Sequence, residues 1–227
     1  PVISIELEDE YSLCAEFFRW EFATAVTGCV MKVQPFDQPD VESAKIIARE
    51  TIKKYREEGK LATPESSFSE KGIEVVTSLK GNNLGDILKQ FFAEYLNPES
   101  GYVSIHSYTK DTPEITSALQ TLRSQIQEKY NTATTVGFGP RFLHSTGQLH
   151  KGDEGNGVFI QIIDEGKEDF AIPEEPGNTK SLFSFKTLVS AQSIGDRQAL
   201  LNNGRKVIRF TAKGNLEEVI ASITECI

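Results

Sequence analysis

Short apolar stretches alternate with longer amphipathic ones along the chain, and this pattern predicts strands separated by helices. Apolar alternation or continuous apolar runs, which are typical of strands, occur at residues 2–7, 73–78, 102–108, 133–138, 158–164 and 206–211. Helical periodicity occurs at residues 12–33, 41–58, 83–95, 112–129, 184–202 and 215–226. Because strands alternate with helices of ten or more residues, we expect an α/β protein, a three-layer sandwich with a mainly parallel sheet.

Two stretches complete this interpretation. Residues 61–71 carry Pro64 and several serines and are expected to form a loop. Residues 12–33 are largely apolar and are expected to form a helix packed at the centre of the protein. We find no repeat, low-complexity tract or convincing linker, so residues 1–227 are predicted to form a single domain.

Composition and charge indicate an ordinary globular protein and argue against a membrane or nucleic-acid partner. Apolar residues make up 38% of the chain and charged residues 25%, as in ordinary globular proteins. No apolar run approaches the roughly 20 residues that span a bilayer, and no signal peptide is visible, so we expect a cytoplasmic protein with no membrane partner. The formal charge of −9 argues against a nucleic-acid partner. The three cysteines are scattered without metal-ligand spacing, and we expect reduced thiols and no metal or other cofactor.

A first group of candidate residues surrounds the start of the helix near residue 39. Proline is tolerated in a first helical turn, so Asp37 or Gln38 is expected to cap a helix that continues from Pro39. The uncommitted amides of that turn could bind an anion. Lys45 follows Gln38 by nearly two turns, which places both side chains on one helix face, about 10 Å apart. This spacing suits a ligand with a phosphate at one end and a reacting centre at the other.

A second group surrounds His144. Ser145 and Gln148 fit a capping box, which predicts a helix start at Ser145 with His144 just outside it. An imidazole near a helix N-terminus is favoured in its neutral form, which can accept or donate a proton. A purely structural interpretation, in which Ser145 and Gln148 cap while His144 packs against Leu149, stays open. His150 is the alternative to His144 as the histidine that transfers protons.

Other candidates are better explained without chemistry. His106 lies in a strand and is expected to be a satisfied core or edge residue. Glu16 and Glu21 are expected to be solvated or to lie at an interface. Gly137 and Gly139 lack the third glycine and the acidic partner of a dinucleotide-binding fingerprint, so they indicate a turn.

Both candidate groups lie in segments that resemble glucose-6-phosphate isomerases. The second signature of that family reads Phe-Asp-Gln-x-Gly-Val-Glu-x-x-Lys, and the chain replaces the glycine by Asp40 but matches it at Phe36, Asp37, Gln38, Val41, Glu42 and Lys45. Residues 137–152 are similar to the isomerase half of bifunctional transaldolase/glucose-6-phosphate isomerases. Their Leu-His-Ser-x-Gly-Gln core also resembles the histidine motif of ordinary bacterial isomerases. The similarity extends, with gaps, from about Tyr11 to the C-terminus.

This resemblance implies a flavodoxin-like sugar isomerase (SIS) domain that interconverts glucose 6-phosphate and fructose 6-phosphate through ring opening and an enediol. It implies that Lys45 and His144 act as the acid and base of ring opening and that Gln38 contacts the phosphate. Ser145 and Gln148 would also bind the hexose phosphate substrate. The resemblance implies no cofactor.

The resemblance also predicts parts that we do not find in this sequence. A glutamate moves the proton between the sugar carbons, an arginine stabilises the enediolate, and a serine and threonine loop binds phosphate. We therefore expect a C-terminal piece of a longer chain with upstream isomerase and transaldolase domains, and negligible turnover by this piece alone. The family usually works as dimers, so a homodimer is a further expectation.

Two points stay open at this stage. In ordinary isomerases the histidine motif precedes the Phe-Asp-Gln motif, whereas here it follows, so the choice between His144 and His150 is an inference. Alternative functions are a non-catalytic sugar-phosphate-sensing domain of the same fold and a purely structural or dimerising domain. A sensor would need Gln38 and the helix start, but it would not need Lys45 as an acid or base.

Overall fold

The computed structural model describes residues 3–37, 39–166 and 169–227, which fall into two compact units, Pro1–Gln38 and Pro39–Ile227. The first unit consists mainly of helix α1, Ser12–Met31, which ends where Lys32 adopts a left-handed conformation. The helix was predicted and is confirmed. The strand predicted for residues 2–7 is wrong for residues 3–7, which form no regular structure, and Val2 lies outside the described residues.

Helix α1 leaves its large apolar side chains exposed, including those of Phe17, Phe18, Trp20, Phe22, Val26 and Val30. The prediction of a centrally packed helix is therefore not met. At 100° per residue these positions point in several directions around the helix, so no single apolar stripe can turn toward one core.

The second unit contains the remaining elements of secondary structure. Its helices are α2 (Pro39–Glu58), α3 (Leu84–Tyr95), α4 (Pro113–Tyr130), a 3₁₀ helix (Arg141–His144), α5 (Gly147–Gly152), α6 (Phe185–Asn202) and α7 (Leu216–Glu225). Its strands are β1 (Phe68–Glu70), β2 (Ile73–Val76), β3 (Tyr102–Tyr108), β4 (Ala133–Phe138), β5 (Gly157–Asp164), β6 (Ala171–Pro173), β7 (Ser181–Ser184) and β8 (Lys206–Ala212).

Six of these strands form one sheet in the order β1-β2-β8-β5-β3-β4. The four strands β8, β5, β3 and β4 are parallel, whereas β2 pairs antiparallel with β8 and β1 antiparallel with β2. Strands β6 and β7 pair separately. Helices cover both faces of the sheet, so the predicted three-layer α/β sandwich with a mainly parallel sheet is confirmed.

Side-chain caps explain why several helix boundaries could be predicted closely. The residue before each of four helices accepts a hydrogen bond from a first-turn amide through its side chain, which satisfies a donor that the helix leaves free. These caps are Asn83, Thr112, Ser184 and Asn215. The strands that were missed are short: β1 falls in the predicted loop, and β6 and β7 have three and four residues. Periodicity gives little signal over such lengths.

The two faces of the sheet differ in polarity. Successive strand residues point to opposite faces, and one face packs apolar side chains such as Ile105, Ile160 and Ile208 against α3, α4 and α7. The opposite face carries His106, Gln161 and Arg209, which are paired directly across β3, β5 and β8. Helix α6 covers this polar row, and its backbone carbonyl and side chains bind all three residues.

Of the helices in the described ranges, none combines the length and the apolar composition that a membrane crossing requires.

Helices α2 and α6 approach each other closely at a glycine. A Cβ atom on Gly195 would lie 2.7 Å from the carbonyl oxygen of Ala44 and 3.0 Å from the amide nitrogen of Ala48. Both neighbours are backbone atoms, which cannot swing away as a flexible side chain can. The absence of a side chain at Gly195 therefore sets the distance between the two helices.

We predict that Gly195→Ala lowers the free energy of unfolding by about 1–3 kcal/mol, the range typical of an overpacked core. The better helix propensity of alanine, about 1 kcal/mol, offsets only part of the clash. Urea denaturation of both forms measures the difference. Gly214→Ala is the matched control, because a Cβ there meets nothing within 4 Å. Equal stability of the Gly195→Ala variant and the parent would show that the helices are not in this close contact.

Candidate functional site

A cavity of about 230 Å³ lies between α2, the 3₁₀ helix and α6. It is lined by both residues that the sequence nominates for acid–base chemistry, Lys45 and His144. Other side chains around it are Arg49, Ile52, Leu143 and Gln192. Two residues that are far apart in the chain thus meet at one surface-accessible site.

Helix α2 positions Lys45 through its buried face. Ala44 and Ala48 are buried against α6, and Lys45, Arg49 and Ile52 follow one another at helical spacing along the neighbouring face that lines the cavity. The ammonium nitrogen of Lys45 lies 3.6 Å from one carboxylate oxygen of Glu42, and an Arg49 nitrogen lies 3.1 Å from the other. Two cations therefore share one exposed carboxylate at the edge of the cavity.

The 3₁₀ helix positions His144, its last residue. Phe142 is buried, and its ring centroid lies 4.1 Å from that of His106, so this side chain anchors the turn to the sheet. His144 itself is exposed. The predicted capping box is wrong: α5 begins at Gly147, and the Ser145 hydroxyl donates to the carbonyl oxygen of Phe142. Ser145 directly follows the 3₁₀ helix, and its hydroxyl bonds backward to that helix, so it does not cap a helix that begins at Ser145.

Gln148 joins α5 to α2. Its side-chain oxygen accepts a hydrogen bond from the amide of Asp40 (3.0 Å), and its side-chain nitrogen donates to the Asp40 carboxylate (2.7 Å). Asp40 stands where the resembled signature has glycine, which could not accept the second bond. The predicted anion site is therefore partly filled, since one first-turn amide of α2 is already bound by Gln148. Gln38 lies outside the described residues, and its phosphate contact stays a prediction, as do the roles of Ser145 and Gln148.

A buried polar network lies beside this cavity and between α5, α6 and the sheet. An oxygen of Asp196 lies 3.2 Å from Nδ1 of His106, and its other oxygen accepts from the Lys151 ammonium at 2.6 Å. Nε2 of His106 lies 3.1 Å from Nδ1 of His150, whose Nε2 lies 3.4 Å from the Ser104 hydroxyl. None of these five side chains is more than 4% exposed.

One arrangement of protons satisfies every contact in the network. If His106 is neutral and its Nδ1 donates to Asp196, its Nε2 must accept, so Nδ1 of His150 donates to it. Nε2 of His150 then accepts from Ser104. Burial, followed by the neighbouring His106, lowers the pKa of His150 to about 3, which agrees with a neutral imidazole. Burial would raise the pKa of Asp196, but His106 and then Lys151 outweigh it and lower that pKa to about 2.

The polar row on the sheet extends this network. A nitrogen of Arg209 donates to the side-chain oxygen of Gln161 and to the Ser193 hydroxyl. The side-chain nitrogen of Gln161 donates to the backbone carbonyl of Ser193. Ser193 and Asp196, on consecutive turns of α6, therefore supply hydrogen-bond partners for all three residues of the polar row.

These positions separate the two rival histidines. His150 is buried within the network and cannot touch a ligand, whereas His144 lines the cavity. His106 is buried and fully hydrogen-bonded, as expected for a satisfied core residue. Within the described ranges, no three histidine, cysteine or acidic side chains come together as a metal site would need.

Sequence reasoning missed some of the residues that shape the site. Arg49 lies one helical turn after Lys45, so the helical spacing alone could have indicated that it shares the face of Lys45. Gln192 could not be found in this way, because α6 meets α2 only in the folded chain. The polar row did leave a signal, since each of three apolar strands carries a polar residue near its middle.

A larger cavity, of about 460 Å³, lies where β3 and β5 end and α6 begins. Ligands of open α/β sheets often bind at such a place. Here, however, the first amides of α6 are already bonded within the chain: that of Phe185 to the Phe170 carbonyl and that of Lys186 to the Asp169 carboxylate. The helix start therefore offers no free amide at these two positions.

Fold and site together define an α/β sandwich protein with a small cavity that contains a lysine and a histidine. No family model matches the chain, and no curated protein matches it. Among solved structures, it is similar to the crystal structure of a hypothetical protein, TT0462, from Thermus thermophilus, with 18% identity and a TM-score of 0.48. That match covers 61% of this chain and 37% of the other. A likeness this distant carries no argument about function.

We predict that the stability of the protein falls as the pH is lowered from about 6.5 toward 3. An unfolded chain protonates His150 near its ordinary pKa of 6.5, whereas the folded protein does so only near 3. Between these values the unfolded state binds more protons, so stability rises with pH, by at most about 1.4 kcal/mol per pH unit from this group. Asp196 adds little above pH 5, because its carboxyl is ionised in both states there.

Urea denaturation at pH 5, 6, 7 and 8 measures this dependence for the parent and for His150→Gln. The variant should lose part of the slope between pH 5 and 6.5. Its destabilisation at pH 8, where imidazole is neutral in both states, reports the lost contacts alone. An unchanged slope in the variant would contradict the neutral, buried state of His150.

Proposed function

We propose that this chain is part of a sugar-phosphate isomerase that interconverts glucose 6-phosphate and fructose 6-phosphate, and that this part alone gives negligible turnover. The observation that carries the proposal is that Lys45 and His144 line one cavity. The sequence resemblance nominated the same two residues independently of any structure. His150, the alternative histidine, is buried and does not line this cavity.

The chemistry fits the two side chains. Opening a hexose ring requires one group that gives a proton to the ring oxygen and another that takes the proton of the C1 hydroxyl. An ammonium group can give a proton, and a neutral imidazole can accept one. The open-chain sugar is then available for proton transfer between C1 and C2 through an enediol.

The cations around the cavity suit the phosphate. Arg49 adds a guanidinium group, whose fork of donors matches phosphate oxygens. Among the described residues, Lys45 and Arg49 form ion pairs with the exposed Glu42 alone, and exposed ion pairs are worth about 0–1 kcal/mol, so a phosphate can displace that carboxylate. A net charge of −9 gives no long-range attraction, so these local cations must supply the affinity.

Size sets a limit on the affinity. The cavity of about 230 Å³ is smaller than the roughly 300–1,000 Å³ of typical ligand pockets. A hexose phosphate would therefore be enclosed only in part, and we expect binding in the millimolar range. The proposal extends to a longer parent chain with transaldolase and further isomerase segments, and to a cytoplasmic location, where phosphorylated sugars are found.

We predict that the protein accelerates the exchange between the α and β anomers of glucose 6-phosphate. This exchange needs only ring opening, so it isolates the step assigned to Lys45 and His144. Exchange spectroscopy of the two C1 signals by NMR measures the rate. Lys45→Ala and His144→Gln should each return it to the uncatalysed rate, whereas Lys53→Ala, which removes the same charge from the exposed side of the same helix, should not.

Two results would contradict the proposal. If the protein without substitutions gives the uncatalysed rate of anomer exchange while still binding glucose 6-phosphate, the domain is a sensor and not an isomerase. If Lys53→Ala lowers the rate as much as Lys45→Ala, the effect is one of general charge. Circular dichroism of each variant checks that the fold is retained.

We also predict a specific response of the histidine side chains. The chain has three histidines, of which His106 and His150 are buried and His144 is exposed. Titration with glucose 6-phosphate, followed by NMR of the imidazole groups, should shift the His144 signals and leave those of the other two nearly unchanged. The His144→Gln variant assigns the signal. A larger shift at His106 or His150 would place the ligand elsewhere.

A further inference from the structure

A third cavity, of about 240 Å³, lies beside the amino end of β8, away from the carboxyl ends of the parallel strands. Strand β2 pairs with β8 from Arg209 to Ala212, which leaves Lys206 and Val207 next to the cavity. Helices α3 and α6 form its other walls. None of its lining residues contributes to the cavity that contains Lys45 and His144.

The charge of this cavity is opposite to that of the protein. The chain has 33 acidic and 24 basic residues, yet three basic side chains, Arg197, Arg205 and Lys206, line the cavity, and no acidic residue is among its described lining residues. Thr77 and Ser78 also line it. Such a set of donors is suited to an anion.

Two of the three cations are already engaged elsewhere. Arg205 forms an ion pair with Asp153 at 2.7 Å and donates to backbone carbonyls at the end of α5. The Lys206 ammonium lies 5.3 Å from the ring centroid of Tyr95, so it is held above that ring. These contacts fix the two side chains in place.

Arg197 differs from both. Its Nε atom is buried and makes no hydrogen bond within the described part of the chain. Burial lowers the pKa of Arg197. The neighbouring Arg209 is affected as well: burial, followed by the charge of Arg197, lowers its pKa to about 10. The two guanidinium groups therefore repel each other.

We propose that this cavity binds the phosphate group of a small phosphate monoester, with Arg197 as the principal ligand. A guanidinium group presents paired N–H donors that match two phosphate oxygens. Arg197, unlike Arg205, forms no ion pair within the described part of the chain. A tetrahedral phosphate fills only part of the cavity. The remaining wall is apolar, with Phe91, Leu201 and Val207, which favours an ester over inorganic phosphate.

The proposal is tested with inorganic phosphate and with phenyl phosphate at pH 8, where both are predominantly dianionic, against sodium chloride at constant ionic strength. NMR of the arginine Nε–H groups follows binding directly in the parent protein. The Arg197 signal should shift in a saturable way with both phosphates and not with chloride. Phenyl phosphate should bind at least threefold more tightly than inorganic phosphate.

Variants assign the site. Arg197→Gln should weaken phosphate binding at least tenfold, and Arg197→Lys, which keeps the charge but loses the fork of paired N–H donors, should also weaken it. Arg123→Gln is the matched control, because it removes the same charge from an arginine on α4 whose donors bind Gln120, Gln127 and Thr134. Lys45→Ala should leave binding at Arg197 unchanged, so this test and that of the isomerase proposal can fail separately.

Several results would overturn the proposal. These are no saturable shift of the Arg197 signal in the parent protein, equal affinity for the two phosphates, or equal losses of affinity in Arg197→Gln and Arg123→Gln. The measurement on the parent protein does not depend on whether a variant folds. The Lys variant serves if the Gln variant does not fold.

Discussion

The buried carboxylate of Asp196 is the group on which the arrangement of the second unit depends. It is fully buried on α6 and binds His106 on β3 and Lys151 on α5, so it connects these two helices and the sheet at one point. A buried ion pair adds little net stability, but losing one partner leaves an unpaired buried charge, which costs about 3–5 kcal/mol. The Lys151–Asp196 pair therefore favours one packing of α5 and α6 against the sheet, because any other packing would leave one of the two charges buried without its partner. The polar row of His106, Gln161 and Arg209 adds the same kind of constraint.

This constraint reaches the candidate site through two routes. On one side, α6 is fixed by the sheet and meets α2 at Gly195, which sets the position of the helix that carries Lys45. On the other side, Lys151 and His150 fix α5, and Phe142 fixes the 3₁₀ helix that ends at His144. The side chains of Lys45 and His144 are themselves exposed. Their proximity is a consequence of polar contacts in the interior and not of contacts between them.

The sequence predicted most of the fold but less of the site, and the difference follows from the range of the interactions. The helices capped by Asn83, Thr112 and Ser184 have a local start signal, and β3 and β4 have local periodicity, so a single stretch of sequence predicts each of these elements. The capping box failed because the partner of Gln148 is Asp40, which no local pattern could supply. His106 was correctly expected to be a satisfied core residue, but its partners Asp196 and His150 lie on other elements. A row across three strands depends on their register, which the sequence of one strand does not contain. Lys45 and His144 were found through a resemblance, and the polar row could have been suspected only from its polar residues in apolar strands.

The two proposed anion sites show how an acidic protein can bind anions at all. At physiological ionic strength charges are screened over about 8 Å, so the overall charge of −9 matters less to a bound phosphate than the groups within that distance. Around Lys45 and Arg49, the nearest acidic group is Glu42, which is exposed and exchangeable. Around Arg197, the described lining residues include no acid, and Asp153 is already paired with the lining residue Arg205. The Nε atom of Arg197 is out of water and has no partner in the described part of the chain. A cation that is desolvated before the ligand arrives has less hydration to lose on binding. The cavity at Arg197 should therefore hold a phosphate more tightly than the exposed cavity at Lys45, although only the latter has side chains placed for chemistry.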